Sequence, residues 1–278
     1  MLIDLNIAVV SIVLLYIIAG ALSLILAPLY VVNQLTLFEN PENPFNILYL
    51  MFSIILVFIM VIIISRLRLE TLLKGLFYFS TFTVLSITMS IIFPDSWVWL
   101  IVSVAASISI LILLDRFYKW YLVDGVGVFL SASIAAWFGA SLSPMILVVL
   151  LLAMAVYDYF AVRSGVMISL AEETLKMNLP SMLMSPVKKT PKEFRTEEGV
   201  ERRGAFLGLG DVAFPNMLTV STYLGTGSLM AAIPVLSGSI AGLITVLYVV
   251  RRFKRPQPGL PYIGLGATLG WIASTLLV

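Results

Sequence analysis

The sequence predicts an all-α polytopic membrane protein of nine transmembrane helices, with its N-terminus cytoplasmic and its C-terminus external. Three observations carry this reading. Of the 278 residues, 60% are hydrophobic and only 12% are charged, against about 25% charged in a soluble domain. The apolar residues fall into nine segments, each close to the ~20 residues a helix needs to cross a hydrocarbon core about 30 Å thick. The 17 Lys and Arg residues, finally, all lie on alternate connections. Arg66, Arg68 and Lys74 follow span 2, Arg116 and Lys119 follow span 4, eight lie from Arg163 to Arg203, and Arg251, Arg252, Lys254 and Arg255 follow span 8. By the positive-inside rule those connections are cytoplasmic. Splitting or merging one segment would scatter the basic residues over both faces.

The spans run near 5–32, 47–65, 72–93, 97–114, 122–142, 145–162, 204–224, 229–250 and 260–278. The first follows an N-terminus without the basic region of a secretory signal and is too long for a signal core, so it reads as a retained span. Asn40-Pro-Glu-Asn-Pro44, Pro94-Asp-Ser96, Ser143-Pro144 and the run from Arg251 to Pro258 are turn or charge punctuation between spans. Pro28, Pro215 and Pro234 fall inside spans and predict local kinks, which neighbouring helices tolerate in a membrane. Glycines at four-residue spacing, Gly204/Gly208, Gly238/Gly242 and Gly266/Gly270, predict close approach of helix backbones.

One connection stands apart in length and divides the chain into spans 1–6 (1–163), a cytoplasmic loop (164–203) and spans 7–9 (204–278). Loops of that length are functional or disordered. Within it, 167–176 fits either an amphipathic helix or a short strand, Leu179 to Val187 is apolar and Met-rich, and 188–203 is charged. The apolar stretch is too hydrophobic for a free linker and is expected near the functional site, across the path of a substrate.

Composition excludes much chemistry. Cysteine and histidine are both absent, which removes disulfides, Ser-His and Cys-His catalysis, ordinary zinc sites and histidine proton relays. A net charge of +2 gives no reason to expect a nucleic-acid partner. A hydrolase built from this chain must work with carboxylates. Two of them stand inside apolar spans: Asp158 in span 6 and Asp211 in span 7. Such a charge costs about 2.5–3.5 kcal/mol near mid-membrane on insertion scales and marks function. Asp95, Asp115 and Asp124, at span ends, are expected to be solvated.

Helical rise places Asp158 roughly 7–8 Å inside the cytoplasmic end of span 6 and Asp211 roughly 12 Å inside that of span 7. The spans are antiparallel neighbours, so the carboxylates can meet. Brought together they cannot both ionise cheaply and would share a proton as a coupled pair. An aspartic hydrolase needs that arrangement: the ionised carboxylate takes a proton from attacking water while the protonated one donates to the oxyanion or leaving amine. Gly208 and Gly210, flanking Leu209, remove side chains just before Asp211, so an extended peptide can approach. The run Pro256-Gln-Pro-Gly-Leu-Pro261, where proline prevents regular helix, could pair with that peptide as an edge strand does.

Tyr157-Asp158, Gly208-Leu-Gly-Asp211 and Pro258-Gly-Leu-Pro261 match, in order and spacing, the Tyr-Asp, Gly-x-Gly-Asp and Pro-Ala-Leu signatures of the presenilin and signal-peptide-peptidase family. The chain resembles an archaeal presenilin homologue over roughly its last half, 145–278. The resemblance implies a presenilin-like intramembrane aspartyl protease of a prokaryotic plasma membrane that cleaves transmembrane-helix peptides, with Asp158 and Asp211 catalytic and no metal or cofactor. It further implies substrate contacts from Tyr157, Gly208, Leu209, Gly210, Pro258, Gly259, Leu260 and Pro261, and self-cleavage in the long loop. A cytoplasmic N-terminus agrees with presenilins and opposes signal peptide peptidases. Gly259, where the family has Ala, is a departure that makes this loop more flexible.

Two other functions fit parts of the pattern. A proton- or cation-coupled transporter also uses paired membrane carboxylates and glycine-broken helices, but no inverted repeat of either Asp segment occurs in the first five spans. Prepilin peptidases also use a Gly-x-Gly-Asp aspartate, but such enzymes cut at the membrane surface and need neither the Pro-Gly-Leu-Pro element nor nine spans.

Overall fold

The computed structural model describes residues 2–67, 69–93, 96–164, 179–186, 204–253 and 257–277. Six helices come first: α1 (Leu2–Val32), α2 (Phe45–Arg66), α3 (Glu70–Ile92), α4 (Trp97–Arg116), α5 (Trp120–Ser141) and α6 (Pro144–Arg163). Two strands, β1 (Met182–Pro186) and β2 (Gly204–Gly208), precede α7 (Leu209–Thr226), α8 (Leu229–Phe253) and α9 (Leu260–Leu277). The helix ends follow local chemistry. Ser96 accepts the N–H of Val98 at the start of α4, Pro144 opens α6 where no N–H is needed, and Gly227 closes α7 in the left-handed region at φ 67°.

Seven of the nine helices among the described residues, α1 to α6 and α8, are long and apolar enough to cross a membrane; Leu260–Leu276 forms a shorter apolar helix. The outer helices expose large apolar side chains, such as Phe52 (68%), Phe79 (68%) and Trp97 (75%). Water would not tolerate that surface and lipid does. The chain is an integral membrane protein. Helix α7 is the exception in composition because it is the centre of the bundle, packed against α1, α5, α6, α8 and α9. Its Asn216, Thr219, Ser221 and Thr222 are buried among those helices and do not face lipid. Around it lie one core of Leu147, Leu151, Met217, Leu218 and Ala267, and another of Ile12, Leu183, Val212, Leu243 and Ile263.

Prolines 28, 215 and 234 lie within continuous helices. At Gly238, Gly242 and Gly270 an added Cβ would run into the backbone carbonyls of Gly266, Tyr262 and Pro234, so α8 and α9 meet backbone to backbone. That bears out two of the three expected glycine pairs.

The third pair is a correction. Residues 204–208, expected as the start of span 7, are extended, and Gly204 and Gly208 are the ends of a strand. Strand β2 pairs antiparallel with β1, Met182 opposite Gly208 and Pro186 opposite Gly204. Side chains explain it: Phe206 packs with Leu114, Val123 and Met184, whereas Leu207 joins the core of Ile12 and Leu183. Adjacent residues buried on opposite sides fit a two-residue period, not a helical one. The rise-based depth of Asp211 therefore falls away, since most of the residues behind it are not helical. The readings made for 167–176, Val187 and 188–203, and for Arg68, Pro94, Asp95, Lys254, Arg255 and Pro256, concern residues outside those described.

Candidate active site

Asp158, near the end of α6, is 4% exposed although it carries a carboxylate. The chain just before α9 meets it: the Leu260 N–H donates to Asp158 Oδ2 at 3.2 Å, and the Gly259 N–H faces the same carboxylate. The two prolines around this dipeptide keep α9 from starting earlier, which leaves these amides free of a helical partner.

Asp211 is the third residue of α7, counted from the N-cap Gly208. A carboxylate at that position reaches back to the N-cap amide, and the Gly208 N–H bonds to it. The start of α7 thus orients Asp211. Gly259 lies against the same carboxylate: a Cβ added there would sit 2.6 Å from Asp211 Oδ2 and 2.7 Å from Cγ. One dipeptide, Gly259-Leu260, therefore touches both carboxylates, through its amides on Asp158 and its bare Cα on Asp211. The two aspartates interact electrostatically. The departure at Gly259 gains a physical reason, which is space for Asp211.

Among the other expected residues, Gly210 is exposed, and an added Cβ there would sit 3.7 Å from the Phe214 ring. Pro258 and Leu260 are buried and Pro261 is half-buried. Leu209 packs into the core of Ile12 and Val212. Tyr157 turns its ring edge-on to Phe58 of α2 at 5.1 Å, and its buried hydroxyl has no hydrogen-bond partner among the described residues. The structure brings Tyr157 beside Asp158 in the chain without bonding it to either carboxylate. No group of His, Cys, Asp and Glu suited to a metal ion occurs among the described residues.

Two residues were missed. Tyr16 of α1 is fully buried, within electrostatic reach of Asp211 and beside Ser239. Asp124, expected to be solvated, is 3% exposed and bonds to β1. Its place four residues into α5 looked like a helix end in water; the β1–β2 sheet covers it. Asp115 does behave as expected, exposed and paired with Lys74 at 2.6 Å.

Residues 11–278 match the sequence profile of the family described as signal-peptide peptidase, presenilin aspartyl protease. The chain belongs to that family. This signal-peptide peptidase and presenilin family member is an aspartic endopeptidase. Its fold is similar to that of a presenilin family intramembrane aspartate protease solved in two crystal forms. In the first, TM-score is 0.68 at 21% identity, covering 97% of this chain and 98% of that one; in the second, 0.70 at 22%, covering 96% and 97%. No curated protein matches it. The family match extends well beyond the half of the chain on which the three short motifs lie.

Proposed function

We propose that Asp158 and Asp211 form one general acid–base pair that hydrolyses peptide bonds within transmembrane helices. The observation that carries this reading is the Gly259-Leu260 dipeptide, which contacts both carboxylates. In the reaction the ionised carboxylate removes a proton from water as its oxygen attacks the scissile carbonyl. The protonated carboxylate donates to the carbonyl oxygen that gains charge; as the C–N bond breaks, the first carboxylate passes the proton it took from water to the leaving amine, and the second regains its proton from a hydroxyl of the gem-diol. A substrate helix hides its amides, so it must open locally before attack, and its freed N–H and C=O groups then need partners. The backbone at 258–261 and 208–210, apart from the amides already held by the carboxylates and by Ser181, is proposed for that purpose, with Tyr157 and Leu209 shaping the walls. No metal or cofactor enters this scheme.

The test is to incubate the purified protein in proteoliposomes with a generic single-span peptide. Fragments with ends inside its apolar stretch are expected by mass spectrometry. Asp-dependent ion flux without fragments would favour the transporter instead.

The topology belongs to the same proposal: nine spans, N-terminus cytoplasmic, C-terminus external, the 164–203 loop cytoplasmic, in a prokaryotic plasma membrane. The one-sided placement of every basic residue supports it. Because the chain has no cysteine, single cysteines at Thr196 and Val278 report without background. They are expected to label from opposite sides of the membrane; labelling from the same side would refute the odd count.

A further inference from the structure

Asp124 is a buried carboxylate that the acid–base pair does not use. It sits in the first turns of α5 and is 3% exposed; one oxygen, Oδ1, accepts the backbone N–H of Met184 at 2.7 Å. Its other oxygen, Oδ2, is buried with no partner among the described residues. An unpaired buried oxygen is costly, and a neutral acceptor would hold a strand at lower cost. The expense falls at one particular place. Met184 is the middle residue of β1 and stands opposite Phe206 of β2. Two residues after Phe206 comes Gly208, whose N–H binds the Asp211 carboxylate. The Leu209 N–H, at the junction of β2 and α7, in turn donates to Ser181 O beside β1 at 3.2 Å. One turn along α5, Gly127 leaves room for both partners of this junction: a Cβ there would sit 2.9 Å from Leu183 Cδ2 and 3.1 Å from Leu209 Cδ2. Helix α5 therefore grips β1 by one hydrogen bond and one missing side chain, and β1 carries the strand that delivers Asp211.

We propose that Asp124 is a positioning residue: it fixes β1, through β1 the placement of β2, and through β2 the first turn of α7 that aims Asp211. The inference rests on the reading of Asp158 and Asp211 as the reacting pair. Asp124 touches neither, and acts only through the strands.

The experiment compares Asp124→Ala, Asp124→Asn, Met184→Pro and the Asp124→Ala/Met184→Pro double variant in the full chain. Asn keeps an oxygen for Met184. Proline removes the donor itself, and because the Met184 N–H turns to α5 and away from β2, the ladder survives. Ala and Pro variants are expected to lose about tenfold or more in kcat, as a misaimed group does, with KM moved by less than about threefold. Amide exchange across 182–186 and 204–209 should quicken about tenfold or more while the helices keep their protection. Asp124→Asn is expected to recover the rate to within about threefold, and the double variant to lose no more than the worse single, as two ends of one bond do. An unchanged strand exchange in Asp124→Ala, an Asn variant as slow as the Ala one, or losses that multiply in the double variant would each overturn the proposal. Should Asp124→Ala fail to fold, Met184→Pro and Asp124→Asn decide it by the same readings. A parent protein that cleaves nothing would instead sink the acid–base pair, and the exchange rates would still decide whether Asp124 holds the sheet.

Discussion

Asp158→Asn, Asp211→Asn and the double variant are expected to be equally inactive, each below detection and the double no worse than either single. General acid–base catalysis contributes about 10²–10⁴ in rate, and in the proposed pair one proton serves both carboxylates, so removing either group removes the whole transfer. Groups acting as a unit are non-additive in this way. The Asn amide is nearly isosteric with the carboxylate and still accepts the Leu260 N–H at Asp158 and the Gly208 N–H at Asp211. The variants should therefore fold and bind a transition-state mimic measurably. Fragment release is read by mass spectrometry against that binding. Robust cleavage by either single variant would remove that aspartate from the pair.

Gly266→Val is expected to have the largest effect of any change outside the aspartates. A Cβ at 266 would collide with the backbone carbonyl of Gly238 and would sit 3.3 Å from Gly242 N. Backbone cannot rotate aside as a side chain does, so α8 and α9 must separate. Overpacking of this kind costs about 1–3 kcal/mol and more where the neighbour is rigid. The damage also travels. Helix α9 begins at Leu260, whose N–H holds Asp158, so a displaced α9 withdraws the dipeptide that bridges the two carboxylates. Lower thermal stability and loss of cleavage should therefore appear together. Gly75→Ala in α3 is the contrasting case: nothing lies within 4 Å of its added Cβ, and Ala in a helix interior gains roughly 0.5–1 kcal/mol over Gly. Equal unfolding temperatures for the parent and Gly266→Val would show that the two helices are not in backbone contact.

How much of this was legible in the sequence depended on which physical signal each residue carried. Helix boundaries came close because apolar length and basic punctuation are read directly from composition: α8 starts at the expected Leu229 and α9 at the expected Leu260. Asp158 and Asp211 stood out because a charge in an apolar run has few explanations. Strand β2 was not, because Gly-Ala-Phe-Leu-Gly is as apolar as a helix end, and only the opposite burial of Phe206 and Leu207 reveals its period. Asp124 was misread for a related reason. What makes it buried is β1, contributed from 60 residues further along the chain, and no local pattern announces that contact. The space at Gly259 was likewise invisible until Asp211 was placed beside it.

In the proposed pair one of the two carboxylates works protonated and the other ionised. The most direct test is the pH dependence of kcat/KM for the parent cleaving a single-span peptide. A bell is expected: activity rises as the base of the pair loses its proton and falls as the acid loses its own, the two limbs belonging to the pair jointly. A profile with a single limb, or one flat across the acidic and neutral range, would contradict it.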